Sequence, residues 1–187
     1  YRMLSKNIAL LTFFYGVYSV LLNKIMGQQI PIGLPTHNRQ SQTAKRMPGL
    51  LMEVHPTHPN EIAGASFTSL YEKNKETILN YLFASQDKTN ASDSKARVHA
   101  LLNFITTTFG PFNGSPCEAK WLHNGYHDAQ HVIRLHVDRL NNKELGIYLD
   151  LNNAAFSAQQ KEFIVDASKR LIEQAINHGD SQINACE

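Results

Sequence analysis

Histidine is the one reactive residue type in excess, with nine copies in the chain. His123, His127, His131 and His136 cluster, with Glu118 and Asp128 close by. On a helix, spacings of four would put His123, His127 and His131 on one face, where neutral imidazoles can hold a divalent metal and activate water. Asn124-Gly125 argues against an unbroken helix there. The plainer reading is a set of hydrogen-bonded histidines, on the surface or half-buried, and it is the one preferred. Cys117, with His123 or His127 as base and Asp128 as orienter, is a second arrangement with the right residue types. Its members all come from one short stretch, whereas such partners usually converge from separate elements.

The segment Tyr126-His127-Asp128-Ala129-Gln130-His131 resembles the Tyr-His-Asn-x-x-His stretch of HD-type metal phosphodiesterases. The resemblance covers residues 126–132 and places Asp128 where that family has Asn. It implies an all-helical fold, His131 as a metal ligand and His127 as the group assisting the leaving group. No adjacent His-Asp pair follows His131, as the family requires, and the next residues read as a strand. His55-Pro56-Thr57-His58 with Glu61 is another set of metal-ligand types, restrained by a proline beside each histidine. Arg39, Lys45 and Arg46 form a small basic patch without interleaved aromatics, which reads as solvated loop rather than a stacking surface for nucleic acid.

These groups sit in a chain of 187 residues, 42% apolar and 18% charged, with a net charge of +2. That is one domain with enough mass for its own core. That charge rules out a strongly electrostatic nucleic-acid binder as the default reading. Two cysteines, Cys117 and Cys186, exclude a disulfide-dense scaffold and a four-cysteine zinc site and leave pairing open. No phosphate-binding glycine loop, GxSxG or HExxH is present. Asn90 and Asn113 head glycosylation sequons, which arise by chance in an Asn-rich chain. A cytoplasmic location is favoured over a periplasmic or secreted one.

The elements follow from periodicity. Residues 1–27 are an apolar helix, and its stretch 8–25 is a candidate membrane anchor, although a helix buried in protein is preferred. Ser5, Ala9, Thr12, Gly16, Ser19 and Asn23 form a small and polar stripe on it. The stripe is read as a narrow wet face, with a close helix–helix contact as the alternative. Residues 28–65 hold five of the seven prolines and read as an irregular connection, from which 50–54 is a candidate for an extra strand. The α+β core spans 66–179, followed by a polar tail, 180–187. A helix is expected from about Ser69, with Ser69 and Glu72 at capping-box spacing. A third helix is expected over 93–109, with Val98, Leu101, Leu102, Ile105 and Phe109 on one face. Alternation over 132–140 and 144–151 predicts a C-terminal hairpin whose parity pairs Ile133 with Leu151, Leu135 with Leu149 and Val137 with Ile147. On its wet face it pairs His136 with Tyr148 and Arg134 with Asp150. A final helix, capped by Ser157 and Gln160, buries Ile164, Ala167 and Leu171, with Phe163, Val165 and Ile172 widening that face.

The predicted fold is therefore α+β, about four helices with the hairpin covered by the final helix. With no complete catalytic set, the expected function is a non-catalytic interaction or adaptor subunit of a secretion-chaperone-like kind. It would bind a protein partner through Leu11, Phe14, Tyr18 and Leu22 of the first helix, the hairpin edge, and Phe112, Trp121 and Tyr126. No cofactor is needed for that role. The alternative is a metal-dependent hydrolase using a divalent ion on His123, His127 and His131.

Overall fold

A computed structural model describes residues 2–37, 39, 41–49, 52–84, 98–106, 110–123, 125, 129–139 and 144–183. Helix α1 (Arg2–Met26) is the first element. Gly27 ends it in the left-handed conformation, φ 69°, and its N–H caps the carbonyl of Asn23 at 2.9 Å. β1 (Ile32–Thr36), α2 (Gln42–Arg46) and β2 (Glu53–Thr57) follow, then α3 (Phe67–Ala84), β3 (Ala100–Ile105), β4 (Ile133–Asp138), β5 (Gly146–Leu151) and α4 (Ala158–Asn177). The fold is α+β.

The five strands form one sheet in the order β2-β1-β3-β4-β5. Its centre is parallel and its two edges are antiparallel. β4 and β5 pair in the register that parity predicts: Ile133 with Leu151, Leu135 with Leu149, Val137 with Ile147, His136 with Tyr148 and Arg134 with Asp150. The turn at 141–143 lies outside the described residues.

Three expectations change. Residues 28–65 are not one irregular connection, because they supply two strands and a short helix. Proline is tolerated in these strands for a physical reason. β3 pairs with β1 only at Ile32 and Gly33, so Pro35 lies beyond that ladder, and Pro56 sits on the edge strand β2. The helix expected over 93–109 is replaced by β3 at 100–105. This strand is paired on both edges and lies in the middle of the sheet, so both its faces carry apolar residues and the period-2 signal is lost. The start of α3 is capped by Ser66 rather than Ser69. Ser66 Oγ accepts from the N–H of Ser69 at 3.1 Å, and Ser69 Oγ accepts from the N–H of Ser66 at 3.0 Å.

One face of the sheet is dry. Ala100, Leu102, Ile133, Leu135 and Val137 pack there with residues of all three long helices. α1 lies in the middle of the helix layer, against both α3 and α4, so the cover of the hairpin is shared rather than supplied by the final helix alone. Tyr18, fully buried, donates its hydroxyl to the carbonyl of Ile133 on β4 at 3.0 Å. The small stripe of α1 is a buried contact, which corrects the wet-face reading. Thr12 and Ser19 are buried and return their hydroxyls to the carbonyls of Ile8 and Gly16, at 2.8 and 2.7 Å. Asn74 of α3 packs over Gly16. α1 is long and apolar enough to cross a membrane, and in this fold its middle is enclosed by the chain itself. α4 has the predicted capping box and buries Ile164, Ala167 and Leu171, whereas Phe163 and Val165 are exposed.

Candidate functional site

The second face of the sheet carries the side chains that alternate with the core set. Leu101, Asn103 and Ile105 of β3 stand beside Arg134, His136 and Asp138 of β4, and these beside Asp150, Tyr148 and Gly146 of β5. β3 and β4 run parallel, so the chain between them must cross over. That connection brings Trp121 and His123 onto this face. Its far end is tied back to the start of β3: His99 Nδ1 donates to the carbonyl of Gln130 at 3.2 Å, and the N–H of Val132 to that of His99 at 2.9 Å.

The centre of the cluster is the carboxylate of Asp150. His136 Nε2 lies 3.0 Å from Asp150 Oδ2, and His123 Nε2 lies 3.6 Å from the same oxygen. The hydrogen-bond network assigns both tautomers. The N–H of Gly125 donates to His123 Nδ1 at 3.0 Å, so the proton of that imidazole is on Nε2, facing Asp150. The Asn103 amide nitrogen lies 3.3 Å from His136 Nδ1, so His136 also carries its proton on Nε2. The Trp121 ring covers His136 with centroids 4.6 Å apart, and its indole N–H is buried with no hydrogen-bond partner. Burial lowers the pKa of His136 from 6.5. Asp150 opposes that shift through its charge and its hydrogen bond, while the charges of Arg134 and His123 add to it.

This arrangement clamps the connection to the sheet. His136 donates its Nε2 proton to Asp150, while His123 turns its Nε2 toward the same oxygen at ion-pair distance, and each accepts a hydrogen bond on Nδ1, so neither has a free lone pair for a metal. Metal-bound histidines instead donate from the second nitrogen, the reverse of the Gly125–His123 bond. Among the described residues no group of three His, Cys, Asp or Glu is arranged to hold a metal ion. His127, Tyr126 and Asp128 lie outside the described residues, and His131 is half-buried just before β4. The strand that follows rules out the all-helical fold that the phosphodiesterase resemblance implies. His55 sits on β2, 3.7 Å from Glu53. Cys117 is exposed, its thiol 3.7 Å from the carbonyl of Ser115, and Cys186 lies outside the described residues. Arg39 donates to the carbonyls of Ala44, Met47 and Gly49 at 2.7, 2.5 and 2.6 Å, holding the end of α2.

The expected partner-binding residues fare differently. Phe14, Tyr18 and Leu22 are buried in the core and Leu11 is half-buried, so they present no docking surface. Strand 133–138 is flanked by β3 and β5, so it has no free edge; β2 and β5 are the edges. Phe112 is 80% exposed, and Trp121 is spent on His136. Sequence reasoning missed Asp150 as the shared acceptor and Asn103 altogether. The predicted register did carry the Asp150 signal, since it is the diagonal neighbour of His136. Asn103 was unreadable as a partner while its segment read as helix.

No known protein-family profile matches the sequence, and no curated protein matches it. Its fold is similar to solved condensation domains. The starter condensation domain of rhizomide synthetase RzmA superposes with a TM-score of 0.71 at 16% identity, over 97% of this chain and 46% of that one. The condensation domain of the Monacolin K polyketide synthase MokA gives 0.68 at 14% identity, over 90% and 42%. The first condensation domain of the CDA synthetase gives 0.65 at 12%, over 92% and 40%. The chain thus spans less than half the length of these neighbours. They are domains of biosynthetic enzymes, and this finding overturns the expectation of a non-catalytic adaptor or chaperone-like subunit.

Proposed function

We propose that the chain is one lobe of a condensation-type acyltransferase, acting on acyl groups delivered as thioesters and passing them to an amine. The observation that carries this reading is the likeness to the starter condensation domain over 97% of the chain. A variant of that neighbour was solved with C8-CoA and Leu-SNAC, an acyl thioester and an aminoacyl thioester. In such a transfer the amine nitrogen bonds to the acyl carbon, the carbon–sulfur bond breaks, and the thiol leaves with the proton lost by the amine.

The part played by this chain's own residues follows from the clamp. His123, His136 and Asp150 position the β3–β4 connection over the sheet and leave the Trp121 indole N–H as an unused donor. The proton of the amine goes to a group outside this trio, because both imidazoles are occupied. A protein partner that presents one of the thioesters belongs to the same reading, as does further chain supplying the length that the neighbours have and this lobe lacks.

Trp121 is the only tryptophan, so intrinsic fluorescence reports on the site directly. Titration with C8-CoA should change the emission saturably, with a weaker response to free CoA. An unchanged spectrum, or equal responses to both, counts against the reading.

A further inference from the structure

We infer that Asn113 is a site of spontaneous covalent modification, converting through a cyclic succinimide to aspartate and isoaspartate. The β3–β4 connection contains a two-residue hairpin turn. Phe112 and Ser115 exchange both backbone hydrogen bonds, at 2.9 and 3.0 Å. Asn113 at φ 48° and Gly114 at φ 81° fill the two left-handed positions between them, the pairing that type I′ turns select. Residues 110–118 are exposed. Gly114 is exposed, a Cβ there would meet nothing within 4 Å, and the residue has no side chain of its own to crowd attack by its amide nitrogen.

The chemistry balances with water as the only co-reactant. Hydroxide takes the Gly114 amide proton, and that nitrogen attacks the side-chain carbonyl carbon of Asn113. A carbon–nitrogen bond forms, the bond to the side-chain nitrogen breaks, and ammonia leaves with a proton from water. Water then opens the ring at either carbonyl. Closure requires the Asn113–Gly114 peptide to rotate out of the turn. Two backbone hydrogen bonds close it at a surface tip, and such tips open cheaply. Isoaspartate adds a backbone carbon that the two-residue turn cannot hold, so the event releases the Phe112–Ser115 pair and removes one unit from the net charge of +2.

The test is incubation of the full chain at mildly alkaline pH in heavy-oxygen water, with peptide mapping over time and a short peptide of residues 110–117 as reference. The expected result is replacement of the side-chain nitrogen of Asn113 by heavy oxygen, splitting into aspartyl and isoaspartyl products, and loss of both in Asn113→Gln. An unmodified Asn113 after the reference peptide has converted would overturn the inference. So would modification confined to Asn124-Gly125 or to other asparagines.

Discussion

Replacing Asp150 by Ala tests the clamp most sharply. The side chain of His136 is 8% exposed and that of Asp150 19%, so their 3.0 Å contact is a buried, charge-assisted hydrogen bond. Removing its acceptor is expected to cost about 1.5–3 kcal/mol. His123 is 37% exposed and its contact is 3.6 Å, a pair of the kind that contributes about 0–1 kcal/mol. Asp150→Ala should therefore destabilise the fold by about 1.5–4 kcal/mol, a fall in Tm of roughly 3–16 °C for a domain of this size. Double-mutant cycles by denaturant unfolding, with His136→Phe and His123→Ala, separate the two couplings. Asp150–His136 should exceed Asp150–His123. Equal or inverted couplings would refute the burial argument. The imidazole resonances supply an independent sign. Asp150 opposes the lowering of the His136 pKa, so Asp150→Asn should lower that pKa further, and a rise would contradict the geometry.

The folded pKa of His136 lies below 6.5, so the unfolded chain takes up the proton first on acidification. Stability should be full above pH 6.5 and fall as the pH drops toward the folded value, and His136→Phe should remove that slope from thermal melts at stepped pH. A Cβ on Gly33 would lie 2.6–2.8 Å from Leu101, Val54 and Val98. Gly33→Ala should thus cost about 1–3 kcal/mol in urea unfolding. Gly16 has only Asn74 at 3.5 Å, so Gly16→Ala should be neutral or stabilising by up to about 1 kcal/mol through helix propensity, and a large loss would show a tighter α1–α3 contact than the structure has. Metal analysis of protein purified without chelators should find no ion whose retention depends on His123. A stoichiometric ion lost on His123→Ala would overturn the tautomer assigned from Gly125.

What could be read in advance was local. The β4–β5 register rests on the parity of two apolar sets, which a one-residue slip would turn outward, and it holds at every pair named. The α4 capping box and its buried residues rest on helix period and hydrogen-bond chemistry within one turn. What failed depended on neighbours far along the chain. β3 lost its alternation because β1 and β4 enclose it. β1 hid behind Pro35, whose missing N–H is harmless only because the β3 ladder stops at Gly33. The polar stripe of α1 looked wet because nothing in its own sequence shows that α3 packs over Gly16. The site suffered in the same way. His123 and His136 stood out by type, but the acceptor they share is on β5 and the amide that sets one tautomer is on β3. The fold's likeness to condensation domains had no motif to announce it, at 12–16% identity.

The most direct test of the central proposal is a map of where an acyl thioester binds, by heteronuclear NMR of the chain titrated with C8-CoA. The account predicts saturable shifts at the Trp121 indole and at Asn103, Arg134 and Tyr148, all on the sheet face that carries the β3–β4 connection. Shifts confined to the outer surfaces of α3 and α4, or none at saturating ligand, would contradict it.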